Sequence, residues 1–447
     1  MFSPLSSFIY YPAIDSLAAG LGTTIEKINW TITSYQVVSG IIPSLLGDVA
    51  DTVGRRPVYL VAFSIYLVAN IGLAVQNAYP ALLVLRMLQS AGSSGTISLG
   101  YAVVSDIASP AERGSYVGAV LLGPNIAPSL GPVIGGIIAQ YAGWRWIFWA
   151  LSIISGFCLM FLLGFLPETA RNIVGNGSVR PLGVNRTLVR MPKNQNRSTS
   201  INETQRRKCR IPSLLPCFKV LLDLHAFIIL FINGIFYMIY CCLQASLSSL
   251  FMSIYSFSEL EAGVIYIPFG IGCAIASYLS GRVMDREYCA VAKDSGFTVD
   301  KVRGDDLLIF PIERARLRSS YYFICIMAAC TIGYGWALDQ HVHFSVALAL
   351  QFLIGAFTTL IFNCLGTLLI DTNSERPATA SAAANLVRCA LSGGGLAALS
   401  KMVTFLGPGG CFSLFGGIAL ATVPLLYVLQ LKGMAWRKAR SVCPHSE

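Results

Sequence analysis

AFIILFINGIFYMIYCCLQASLS, residues 226–248, runs for 23 positions without an Asp, Glu, Lys or Arg. As a helix at 1.5 Å per residue it reaches about 34 Å, enough to cross a hydrocarbon core of ~30 Å. Blocks of the same character recur along the whole chain, at about 2–20, 30–47, 57–76, 81–104, 114–139, 144–166, 262–281, 319–338, 343–369, 378–403 and 409–431. The composition agrees: 55% of the residues are hydrophobic and 12% are charged, against roughly 25% charged in a soluble domain. So few charges do not coat a globule of 447 residues. In lipid every backbone group needs an internal partner, which leaves helices or a closed barrel. Unbroken apolar runs without alternation exclude the barrel. The expectation is an all-α membrane protein of twelve spans, built as two pseudo-symmetric six-helix bundles.

The breaks between the blocks carry the charge. If 47–57, 105–115, 167–222, 282–318, 371–377 and 432–447 lie on one side, that side holds 27 of the 32 Lys and Arg residues. By the positive-inside rule this side is cytosolic, so the net charge of +10 reflects topology, with no nucleic-acid signal in it. The expected organisation is a six-helix half over 1–166, a basic linker over 167–222, a second half over 223–431 containing the loop 282–318, and a tail over 432–447. N-terminus, linker and tail are all expected in the cytosol. The linker holds four N-x-Ser/Thr sequons, at Asn176, Asn185, Asn196 and Asn202, which this placement leaves unglycosylated. Most of the thirteen cysteines lie inside apolar blocks without C-x-x-C spacing, and the four histidines form no cluster. They read as packing residues, with no disulfide framework, metal site or cofactor.

The two halves resemble each other. Gly47 and Asp51 close the second block as Gly281 and Asp285 close the eighth, and Arg86 to Asp106 repeats the 20-residue spacing of Gln351 to Asp371. Repeated halves of this kind are the architecture of secondary transporters.

The run Gly47-x-x-x-Asp51-x-x-Gly54-Arg55-Arg56-Pro57 is similar to the loop 2/3 signature of the major facilitator superfamily, and Arg86-x-x-Gln89 resembles its second motif, with Ser90 in place of the usual glycine. The fifth block, with Pro124, Asn125, Pro128, Gly131, Pro132, Gly135 and Gly136, looks like the antiporter motif of twelve-span drug:proton antiporters. Stretches 143–148, 167–178 and 310–316 narrow the resemblance to fungal members of the quinidine-resistance type. It covers nearly the whole chain. It implies a conformational latch of Gly47, Asp51, Gly54, Arg55, Arg56, Asp106 and Arg113, in which Asp51 meets the N-terminal end of the eleventh span. Asp285 would be the weaker counterpart in the second half. Arg55 and Arg56 either pair with Asp106 or only mark the inner side. Glycines permit tight turns and close helix contacts, and prolines four apart share one helix face; antiport through a hinge there is implied by the resemblance.

A charge near the bilayer centre costs ~2.5 kcal/mol or more, so Arg86 and Arg388 should face a cavity or a partner. They are the coupling candidates, with Gln89, although Arg86 is also within snorkelling reach of the outer surface. Tyr35, Gln36, Asn125, Asn233, Tyr237, Gln244 and Asn363 could line a mostly apolar pocket with a few polar anchors. The first block reaches only from Met1 to Ile14 before Asp15, which suggests coding sequence upstream or an incomplete cavity wall. No carboxylate falls at mid-depth. The function implied is proton-coupled export of drugs or small organic metabolites by a monomer in the plasma membrane. A sugar facilitator or symporter of the same fold, or a non-transporting receptor, are the alternatives. An enzyme is disfavoured, since no nucleophile, paired carboxylates or phosphate loop converge.

Overall fold

Each apolar block closes its backbone hydrogen bonds on itself, because lipid offers none, and the chain turns in the breaks between blocks. The computed structural model describes residues 2–107, 113–174, 220–294, 310–373 and 377–442, and the elements among them are helices alone. They form two units, Met1–Leu214 and Leu215–Glu447.

In the first unit, span one is broken into Phe2–Phe8, a 3-10 turn Tyr11–Ala13 and Ile14–Gly20. Pro12 at the start of the turn lacks the N–H that would continue the helix. Spans two to six are Ile25–Val53, Arg55–Val75, Tyr79–Ile107, Arg113–Ala142 and Trp144–Phe165. Gly54 at φ 117° makes the sharp turn between spans two and three, and Gly143 at φ 85° the one between five and six. Gly47 makes no turn: it lies within the helix of span two with a helical backbone. Span five runs as one helix through Pro124, Pro128 and Pro132.

In the second unit, span seven is Leu224–Tyr255 and span eight is Glu259–Val264 continued by Ile267–Asp294. A short helix Ile312–Leu317 leads into span nine, Ser320–Asp339, followed by span ten, Phe344–Thr372. Spans eleven and twelve share the helical stretch Pro377–Ala421, divided at Gly407, φ 69°, after which Val423–Val442 continues span twelve. Two expected loops are therefore shorter than their charge suggested. Span eight stays helical through Asp294, well past its apolar block, and the expected tail is helical to Val442. Most of the linker and its sequons lie outside the described residues.

The same neighbours recur in each unit. Span one packs on five as seven packs on eleven; two on four as eight on ten; three on six as nine on twelve. Small residues mark these contacts. A Cβ on Gly92 of span four would meet the span-three backbone at Tyr66, and one on Gly355 of span ten would meet Phe269 of span eight. Such approaches are how helices associate in lipid, where hydrophobicity gives no drive. Seven helical stretches among the described residues are long and apolar enough to cross a membrane, one of them, Thr379–Lys438, containing two spans. Of the rest, span one is broken and span four is interrupted by Arg86 and its polar neighbours. Large side chains such as Phe157, Met160 and Phe161 of span six point outward and exposed, as a lipid-facing surface requires. The chain is a multi-pass membrane protein.

Candidate functional site

Arg86 is fully buried and does not snorkel. Its guanidinium lies 4.2 Å from the ring centre of Tyr10 and 4.7 Å from that of Tyr35, an electrostatic attraction to the two ring faces. Nη1 donates to Gln89 Oε1 at 2.6 Å and to the Ser6 carbonyl at 3.2 Å. The Arg86-x-x-Gln89 spacing puts both residues on one helix face, and Gln89 passes the chain on, donating to Asn70 Oδ1 at 2.7 Å. Tyr35 Oη donates to the Ser3 carbonyl at 2.9 Å and lies 3.0 Å from Ser93 Oγ, while Tyr10 Oη lies 3.0 Å from Thr31 Oγ1. Ser90, where the resemblance expects glycine, donates to the Tyr35 carbonyl at 2.7 Å. The network joins spans one to four around one cation, and Tyr10, Asn70 and the serines of span one were not among the expected residues.

Beside it, the glycines of span five receive the break in span one. A Cβ on Gly131 would sit 3.2 Å from Ile9 N, and one on Gly135 would collide with the Ile9 carbonyl. Gly136 and Pro132 are also buried. Pro124 instead lines a cavity of about 510 Å³ with Phe2, Tyr59, Phe63, Thr96 and Val104, and no charged residue lines it among those described.

At the basic-loop end of the first unit, Arg55 Nε lies 3.1 Å from Asp106 Oδ2. Glu168, just after span six, takes the Arg55 N–H at 2.9 Å and the Arg56 N–H at 3.1 Å, so a carboxylate closes the N-terminus of span three. Arg56 Nη2 donates to the Leu163 carbonyl at 2.6 Å. The side chains of Asp51 and Asn125, and Arg113's, lie outside those described.

The second unit repeats the pair: Arg316, entering span nine, holds Asp371 at the end of span ten at 3.1 Å. Asp285, expected as the second latch, is exposed and makes no ion pair among the described residues. Span eight continues as helix past it. Nearby, Glu313 is buried between His225 Nε2 and Arg437 Nη2, each at 3.2 Å, and Arg437 also donates to the Phe310 carbonyl at 3.0 Å. These contacts join residues far apart in sequence, and only the motif-like stretches 167–178 and 310–316 hinted at Glu168, Glu313 and Arg316.

Arg388 of span eleven lies at a second cavity. Its Nη2 reaches Asn385 Oδ1 at a long 3.4 Å, Tyr237 offers its ring at 5.3 Å, and Nε is buried without a partner. It lines a cavity of about 140 Å³ with Asn233, Phe362, Leu369, Ile370 and Ser381. Of the expected pocket residues, Asn233 and Tyr237 gather here. Tyr35 and Gln36 are buried in the first unit, Asn363 donates to Ser280 Oγ at 2.9 Å, and Gln244 is buried further along span seven with both amide atoms unpartnered.

The profile of the Major Facilitator Superfamily matches residues 1–398. An MFS-type transporter, phiD, of Fungal sp. is 40% identical over 443 residues, 98% of this chain and 67% of that protein. Citrate exporter 1 of Aspergillus niger is 38% identical over 450 residues, 98% of this chain and 85% of that one. Among solved structures, a D-xylose-proton symporter superposes with a TM-score of 0.64 at 15% identity, covering 95% of this chain and 94% of that one. With apolar spans, repeated halves and relatives that are transporters rather than enzymes, the chain belongs to the Major Facilitator Superfamily.

Proposed function

We propose that this secondary transporter is a proton-coupled antiporter, of the fungal twelve-span type that includes drug:proton antiporters, and that it exports a small organic molecule by alternating access. In this reading it works as a monomer in the plasma membrane, with N-terminus, linker and C-terminal tail in the cytosol. One observation carries the proposal: a permanently charged guanidinium, Arg86, sealed inside the first unit among tyrosines, amides and serines. A buried charge with no acid beside it is expensive, and retention of that charge fits a group whose field is used during the cycle. The 38% identical citrate exporter of Aspergillus niger supports the direction of transport.

The acid that takes up the proton is then at the basic-loop end. Asp106 is held by Arg55 and Asp371 by Arg316. Protonating either carboxylate removes half of an ion pair, so proton binding and release of the latch become one event. Glu168 keeps the start of span three fixed while the pair opens.

The test is substrate flux in proteoliposomes under an imposed pH gradient, with wild type, Arg86→Lys and Arg86→Ala. Lysine keeps the charge and loses the planar fork lying between two rings. Coupled flux is expected to fall partly with lysine and almost wholly with alanine. Normal coupled flux in both variants would make Arg86 a structural anchor and remove the support for this reading.

A further inference from the structure

We propose that the cavity at Arg388 is a binding site for the carboxylate of a small hydroxy acid, which makes an organic acid the substrate class of the exporter proposed above. The inference rests on that reading for transport, but not for binding.

Depth comes first. Arg388 lies eleven residues from the start of its helix at Pro377, so at 1.5 Å per residue its Cα is about 16 Å along, near the middle of a ~30 Å core. A charge there needs a partner or a cavity. Near the helix ends three of the described arginines have carboxylates, Arg55 with Asp106, Arg316 with Asp371 and Arg437 with Glu313, while Arg145 has the Asn77 amide and the Trp144 ring. Arg86, the other mid-span arginine, is closed in by two rings and lines neither cavity. Arg388 has a ring on one side, one long hydrogen bond and open space; its Nε is unpartnered among the described residues, as are Nε and Nη2 of Arg86. No acid among the described residues lines that space.

The other polar groups at the cavity complete the recognition. Asn233 of span seven is 8% exposed and its Oδ1 has no partner, so it can accept from a hydroxyl. Ser381, two turns before Arg388 on the same helix, adds a hydroxyl that either donates or accepts. Phe362, Leu369 and Ile370 cover a short carbon skeleton. A guanidinium fork matches a carboxylate in two parallel hydrogen bonds, and the bound acid supplies the negative charge that this depth otherwise lacks. Size points the same way: about 140 Å³ is well below the ~300 Å³ at which drug-sized pockets begin.

Equilibrium binding of radiolabelled citrate, malate and succinate to the full chain in detergent tests this, with tetraphenylphosphonium as the cationic, drug-like probe. Citrate or malate is expected to bind. Arg388→Gln should weaken that binding by roughly tenfold or more, the loss of a charged hydrogen-bonded pair, and Arg388→Lys by less. Asn233→Ala should weaken malate and leave succinate, which has no hydroxyl, unchanged. If Arg388→Gln does not fold, as judged by size exclusion, the lysine and Asn233→Ala variants carry the test through the malate-to-succinate ratio. The proposal is overturned if none of the three acids binds, or if the acids bind Arg388→Gln and Arg388→Lys as tightly as wild type. Binding of tetraphenylphosphonium alone would assign the substrate to an apolar site instead. Arg388-dependent binding of an acid without proton-driven flux would leave this inference standing and sink the antiport reading.

Discussion

At the scale of single residues, two glycines of one motif have different reasons to be there. Gly47 and Gly54 were both expected in turns, because glycine reaches backbone angles closed to other residues. Only Gly54 uses that freedom, at φ 117°, and its missing side chain leaves room for the Glu168 carboxylate. Gly47 is an ordinary helical residue with nothing within 4 Å of where a Cβ would stand. Gly54→Ala should therefore destabilise the protein by about 1–3 kcal/mol through backbone strain and displacement of Glu168. Gly47→Ala should be neutral, or stabilising by up to ~1 kcal/mol from helix propensity. Thermal unfolding in detergent distinguishes them; equal losses in both would refute this division. The motif's existence was legible from its letters, whereas which glycine bends the chain depends on where the helix ends, and apolar periodicity does not fix that boundary.

At the scale of elements, helix ends are tied by charges that sequence spacing does not pair. Glu168 reaches back across 112 residues to Arg56, and Arg437 across 124 to Glu313. The Glu313 cluster joins the start of span seven, the helix before span nine and the end of span twelve. Removing one partner of a buried ion pair leaves the other charge unpaired at a cost of about 3–5 kcal/mol. Glu313→Ala should lower the melting temperature markedly, and Glu313→Ala with Arg437→Met should recover much of it. A double variant no better than the single one would show that the pair is not the source of the loss. Such ties stay hidden in sequence because each residue alone reads as an ordinary polar residue at a membrane boundary. The i, i+3 relation of Arg86 and Gln89 was readable because both share one helix. Asp285 repeats the spacing of Asp51, yet span eight continues as helix past it, which the charged stretch after the apolar block did not reveal.

At the scale of the whole molecule, the twelve spans were readable because lipid imposes one requirement on all of them, internal hydrogen bonding over about twenty apolar residues. The blocks at 226–248 and 144–166 announce themselves by lacking charge. Span one was harder: Pro12 breaks it, and the break is used, since the Ile9 backbone lies on Gly131 and Gly135 while Ser6 and Tyr10 reach Arg86. That dependence explains Gly131 and Gly135 of span five, whose helix stays continuous through its three prolines.

The central claim, that a proton gradient drives export through this chain, is tested most directly by uphill transport. Purified protein is reconstituted into liposomes with labelled citrate or malate at equal concentration on both sides, and a pH gradient is imposed. The account predicts net movement of the acid against its own growing gradient, in the direction opposite to proton flow, abolished when a protonophore together with valinomycin and equal potassium collapses the pH gradient and clamps the membrane potential. Accumulation that persists after the collapse, or acid that only equilibrates while the pH gradient holds, would contradict it.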